Sequence, residues 1–168
     1  VKALDRGLEQ VRKDVRGGFK GLVLDLRDNP GGLLEASIEV TSRFVNGGEV
    51  VSTRGRHDTD SKRYNAVRAN RYPNVPIVVL VNGGSASAAE IVAGALKDRE
   101  RAVIMGVTSF GKGSVQTVLP LGPNKGAMRL TTSRYYTPSG KSIQGSGIEP
   151  DVEVAQVRLS EKDIADLK

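Results

Sequence analysis

The chain has 168 residues, 38% hydrophobic and 26% charged, a balance that fits one globular domain with a real core. It has no cysteine, which excludes disulfides, zinc thiolates and thiol chemistry, and a single histidine. The formal net charge is +6, but Lys and Arg are scattered without a basic block and only 4% of residues are aromatic, so no nucleic-acid partner is expected.

In chain order, Val1, Leu4, Leu8, Val11 and Val15 recur at helical spacing, and Gly17-Gly18 supplies a C-terminal stop. A chain that opens inside an amphipathic helix without an initiator Met reads as part of something longer. Leu22-Val23-Leu24-Asp25-Leu26 reads as a short buried strand, and Arg27-Asp28-Asn29-Pro30-Gly31-Gly32 as a turn. A helix is expected over 33–44 and a strand over 49–53. Residues 54–72 are polar and charged and read as a solvated loop. Pro76-Ile77-Val78-Val79-Leu80-Val81 is the clearest strand and 88–97 the clearest helix. Strands are expected at 102–105, 113–119 and 128–136, the last two separated by the turn Gly122-Pro123-Asn124-Lys125-Gly126. The longest apolar run, 77–81, is strand length, so no membrane span or signal peptide is visible. Alternation of strand and helix predicts one α/β domain over 1–168 with a largely parallel central sheet flanked by helices. In such sheets, sites gather where strands end and helices begin. Residues 29–32 and 82–87 both occupy such junctions.

The second junction reads Gly83-Gly84-Ser85-Ala86-Ser87-Ala88-Ala89-Glu90. Ser87 falls at the helix N-terminus, where orphan N–H groups favour an anion or a developing oxyanion. A purely structural role fits the same residues: Ser85 or Ser87 caps the helix, and Glu90 completes a capping box with Ser87. Downstream lies Ser109-Phe110-Gly111-Lys112-Gly113-Ser114-Val115-Gln116. With no cysteine and one histidine, a Ser–Lys pair is the leading idea for covalent catalysis. Lys112, between two glycines, is open to close approach by another element. To serve as a base it must be neutral, and lowering an amine from its usual 10.4 to 7 costs roughly 4–5 kcal/mol, which burial can supply. Gln116, four positions on, shares a face with Lys112 in either regular structure and can hold the amine. The bland alternative is a surface lysine in a hairpin. Gly106 to Lys112 also imitates a phosphate loop, but Gly113 replaces the required Ser or Thr and the continuation reads as strand. Gly31 and Gly32 could expose backbone N–H groups, or simply make a turn. His57, Asp58 and Asp60 lie in a charged stretch and read as solvated; no metal-ligand spacing appears.

Taken together, Gly21 to Gly32, Val81 to Ile91, Ser109 to Gln116, Leu130 to Gly140, Lys141 to Gln144 and Gly147 to Asp151 resemble the carboxy-terminal processing peptidases, also called tail-specific proteases. The resemblance implies a Clp-protease/crotonase-like fold and a serine endopeptidase acting near polypeptide C-termini, without cofactor or metal. It implies Ser87 as nucleophile, Lys112 as general base, Gln116 as its orienting partner, and an oxyanion hole from the amide of Ala88 and that of Gly32 or Gly31, with Gly32 preferred. Ala89 stands where family members often have another serine. The resemblance further implies an upstream PDZ domain and a strand before the first helix, both missing from these residues. It implies an exported protein, periplasmic or otherwise extracytoplasmic, and membrane-associated or oligomeric in its full form. Two other classes share the pattern's logic: a non-catalytic peptide-binding domain of the same fold, and a crotonase-like acyl-thioester enzyme.

Overall fold

The computed structural model describes residues 1–15, 19–67 and 72–155. The expected stop at Gly17-Gly18 lies outside them. Four strands form a parallel sheet in the order β1 (Leu22–Asp25), β4 (Ile77–Val81), β5 (Val103–Gly106) and β8 (Val152–Glu153). Four more form an antiparallel sheet in the order β3 (Lys62–Asn65), β2 (Glu49–Arg54), β7 (Ala127–Tyr136) and β6 (Ser114–Pro120). The fold is mixed α/β. The parallel sheet is present, but as many strands lie in the antiparallel one, which the alternation argument did not anticipate.

Helix α3 (Ala88–Asp98) is the centre of the molecule. Every residue from Ala88 to Leu96 is buried, and the helix contacts α2 (Leu34–Ser42), β2 and β5. A helix apolar on all sides must be covered on all sides. Its small residues allow that closeness: a Cβ added at Gly94 would lie 2.9 Å from Ile148 and Thr137 side-chain atoms. Val79, Val81, Ile104 and Phe44 fill the core around its own Ile91 and Leu96. Helix α1 (Lys2–Asp14) buries Leu8 and is tied to the end of α2 by Asp5 and Arg43, whose Nε lies 2.8 Å from the carboxylate.

Two expectations are corrected here. Residues 54–72 are not a plain loop: a short 3₁₀ turn at Asp58–Asp60 leads into β3, which pairs antiparallel with β2. Lys62-Arg63-Tyr64-Asn65 has no apolar alternation because it is a short edge strand, held by backbone pairing and by partly buried Tyr64. Strand β1 is not buried on both faces. It is an edge strand with Val23 62% exposed, and the register places Val23 beside Val78 and Val78 beside Val103, itself 43% exposed. Among the described residues the helices therefore cover one face of the parallel sheet, not both.

Candidate active site

Two strand ends build the site. β4 delivers Asn82 to Ser87 into α3, and β1 delivers the turn Asp28 to Gly32 into α2. The turns are tied by side chains chosen for short reach. Asn82 Oδ1 accepts from Asp28 N–H at 2.9 Å and from Gly84 N–H at 2.9 Å, while its Nδ2 donates to Asp28 Oδ1 at 3.0 Å. Ser85 Oγ donates to Leu26 C=O at 2.7 Å and accepts from Asn82 N–H at 3.0 Å. Ala86 N–H donates to Asn29 C=O at 2.9 Å. Ser85 is thus a buried brace between strand ends, not the helix cap.

Ser87 is the N-cap, half-buried, with φ +55° and ψ −117°. That backbone conformation is costly for a residue with a side chain, and such strain gathers at functional sites. Gly31 packs directly against it. A Cβ at Gly31 would come within 2.7 Å of Ala86 O and Ala88 N and 2.9 Å of Ser87 Cβ, and Gly31 itself has φ +99°. Its N–H is already engaged, donating to Asn29 Oδ1 at 2.9 Å. Among the described residues the N–H groups of Gly32 and Ala88 have no hydrogen-bond partner. Beside these amides opens an apolar cleft lined by Leu33, Ala36, Val40, Ala89 and Val92.

The lysine loop reaches the same place from another direction. Phe110 N–H donates to Ser85 C=O at 2.9 Å, which anchors the loop to the elbow. Gly111 and Gly113 allow close approach by segment 143–147. A Cβ at Gly113 would lie 2.4 Å from Gln144 N, and one at Gly111 would lie 3.1 Å from Gly147 N. The loop and the elbow converge on Glu90, which is fully buried. Glu90 Oε2 accepts from Ser87 N–H at 2.7 Å and from Lys112 N–H at 2.8 Å. Its Oε1 accepts from Ser109 Oγ–H at 2.6 Å and Gly111 N–H at 2.6 Å.

The side chains are arranged less tightly than their backbones. Lys112 is exposed, and its Nζ makes no hydrogen bond to Ser87 or to any other described residue. Gln116 is exposed as well, and Lys112 lies before the start of β6, outside the strand whose alternation would align the two. His57 is exposed, and its backbone N–H donates to Asp60 Oδ2 at 3.2 Å. Among the described residues no cluster of metal-ligating side chains occurs. Sequence reasoning saw Glu90 only as a capping partner and missed its link to the lysine loop. The signal was available: one carboxylate in the first turn, within a run from Ala88 to Leu96 that is otherwise small and apolar.

Comparison with known proteins gives the class and then the relatives. The chain belongs to Peptidase family S41, whose family model matches residues 2–154. It is similar to the carboxy-terminal-processing protease of Bartonella bacilliformis, 64% identical over 154 residues, which cover 89% of this chain and 35% of the relative. It is 43% identical over 140 residues to the chloroplastic C-terminal processing peptidase of Tetradesmus obliquus, covering 82% of this chain and 29% of that one. A solved structure, the photosystem II D1 C-terminal processing protease, superposes with a TM-score of 0.79 at 38% identity, covering 90% of this chain and 38% of that one. The resemblance to the carboxy-terminal processing peptidases is therefore shown. The chain spans about a third of the length of these relatives.

Proposed function

We propose that this chain is the catalytic portion of a serine endopeptidase that cleaves polypeptides near their C-terminus with a Ser–Lys dyad, on a Clp-protease/crotonase-like fold. Lys112, as the free amine, takes the Ser87 Oγ proton while Oγ attacks the scissile carbonyl carbon. The oxyanion accepts hydrogen bonds from the N–H groups of Ala88 and Gly32. The Lys112 ammonium passes its proton to the leaving amine; the regenerated Lys112 amine then takes a proton from the water that attacks the Ser87 ester carbon and returns it to Ser87 Oγ as the C–Oγ bond breaks. Gln116 orients Lys112. The apolar cleft beside Ala88 takes an apolar substrate side chain. In its full form the protein works outside the cytoplasm, as the resemblance to the carboxy-terminal processing peptidases implies, with further domains that present the polypeptide C-terminus.

The observation that carries this reading is the elbow: a half-buried, strained Ser87 flanked by the open amides of Ala88 and Gly32. Between the two glycines, the engagement of Gly31 N–H by Asn29 supports Gly32 as the donor. One observation favours a second reading, a peptide-binding domain without hydrolysis: Lys112 is exposed and not hydrogen-bonded to Ser87. On the peptidase reading, bound polypeptide and the remaining domains cover Lys112 and desolvate it.

Incubating the intact protein with an unstructured polypeptide ending in apolar residues, with mass spectrometry of products, separates the two. The expected result is cleavage lost by at least about 10³-fold in both Ser87→Ala and Lys112→Ala. Binding without cleavage supports the second reading, and cleavage surviving Ser87→Ala overturns the nucleophile assignment.

A further inference from the structure

Proton transfer by the dyad leaves one buried ionisable group unused. Glu90 is 0% exposed, and its four hydrogen bonds come from Ser87 N–H, Ser109 Oγ–H, Gly111 N–H and Lys112 N–H. A carboxylate has about four acceptor positions, so these donors fill it. None of the four is Ser87 Oγ–H or Lys112 Nζ, so Glu90 stands outside the proton path. Among the described residues no Arg, Lys or His forms an ion pair with it.

We propose that Glu90 is a positioning residue of the dyad, a fixed anionic hub that sets the separation of the Ser87 and Lys112 main chains. The inference rests on the dyad reading above. Helix capping explains only one of the four bonds, the one to Ser87. The other three go to residues 19, 21 and 22 positions downstream, all on the lysine loop. Core filling does not explain the residue either, because burying a carboxylate is costly and a leucine would fill the space without that cost. What the carboxylate alone provides is two acceptors on each side. One oxygen holds the Ser87 and Lys112 amides together, and its N–H bond from Ser87 helps keep that residue at φ +55°. The other oxygen holds Gly111, at φ +89°, and Ser109. Ser109 Oγ in turn accepts from Ile148 N–H at 2.7 Å, which extends the hub to the segment packed under the loop.

Glutamine and leucine separate this role from packing. Glutamine keeps one acceptor oxygen; with it on the Ser87 and Lys112 side, the Ser109 hydroxyl can turn to accept from the new NH₂, and Gly111 N–H and the Ser109 O–H lose their acceptor. Leucine keeps the bulk and orphans all the donors. The test is made on the intact protein with a fluorophosphonate that labels the nucleophilic serine. Its rate constant is measured per titratable site, so that loss of folded protein does not count. Amide hydrogen exchange is measured in parallel. The expected result is a rate about tenfold lower in Glu90→Gln and more than 100-fold lower in Glu90→Leu. Exchange should rise at Gly111 in the first variant and at Ser87, Gly111 and Lys112 in the second, with Val79 and Val81 unchanged. Glu90→Leu reacting within twofold of the parent overturns the proposal, as does unchanged exchange at the loop amides. If Glu90→Leu does not fold, Glu90→Gln decides alone, because a packing role predicts no change in its rate per site. Labelling that persists in Ser87→Ala overturns the nucleophile assignment instead, and the exchange measurement then decides the tether by itself.

Discussion

Gly31 and Gly32 are neighbours of the same type, yet the structure gives them opposite tolerances. Gly31 has φ +99° and no room, since a methyl would press on Ala86 O, Ala88 N and Ser87 Cβ. Gly32 has neither constraint: an added Cβ meets nothing within 4 Å. Gly31→Ala is therefore expected to displace the elbow, cost more than about 1 kcal/mol of stability and reduce turnover on the order of 10²-fold or more. Gly32→Ala keeps its N–H and is expected to stay within a few tenths of a kcal/mol and a few-fold in rate. Melting and steady-state kinetics of the pair check this, and equal behaviour would remove the steric argument. At this scale the sequence was partly legible. Ser87 at a helix start and glycines around Lys112 stood out because both need little more than local backbone chemistry. The engagement of Gly31 N–H, the bracing role of Ser85 and the four-way role of Glu90 did not, because each depends on a partner brought in by tertiary contact. The exposure of Lys112 was equally hidden.

Strand and helix existence was read well where apolar patterning is strong, as at β4 and α3, and poorly where pairing rather than pattern makes the element. β8 is such a case. It is two residues long, pairs only with β5 among the described residues, and follows Asp151, whose side chain fixes its place. Asp151 Oδ2 accepts from Ile104 N–H at 2.8 Å, its own N–H donates to Ile104 C=O at 2.7 Å, and Oδ1 pairs with Lys97 Nζ at 3.0 Å. Burial pushes the Asp151 carboxyl up, but the Ile104 N–H and Lys97 together outweigh it and hold the group below its ordinary value. A carboxyl whose folded-state value is depressed stabilises the fold fully above the unfolded value of about 3.9, and loses that contribution as pH falls through the folded value. Asp151→Asn is thus expected to cost about 1 kcal/mol at neutral pH, a modest figure because the pair is partly solvated. The difference between parent and variant should shrink below about pH 4. Urea titrations at pH 7 and pH 3 check it, and a difference that grows on acidification would contradict the assignment.

The whole molecule is packed unevenly. The core lies between α3 and the two sheets, while the far face of the parallel sheet shows Val23 and Val103 and the β6–β7 hairpin projects beyond it. β2 pairs only with Arg134, Tyr135 and Tyr136 of β7, and every residue over 116–132 is exposed, including Val118, Leu119, Leu121, Met128 and Leu130. The sequence could not reveal this. Two β-rich runs joined by Gly122-Pro123-Asn124-Lys125-Gly126 specify a hairpin, but nothing local tells whether a third strand covers it. Burial, not strand content, sets stability, and an isolated two-stranded ribbon adds little of its own. Joining Val118 to Arg129, which face each other in the ladder, through an Asn-Gly turn removes 119–128 while keeping the paired root and Gln116. In this chain the melting midpoint is expected to move by less than about 2 °C, since a loss of 1 kcal/mol would move a domain of this size by about 2–4 °C. A drop beyond about 5 °C would show that the tip packs on the core. In longer proteins such as the relatives of which this chain spans about a third, the same deletion should be felt more strongly if other domains close over the hairpin. The comparison of the two melting shifts measures how much of the exposed apolar surface is an interface.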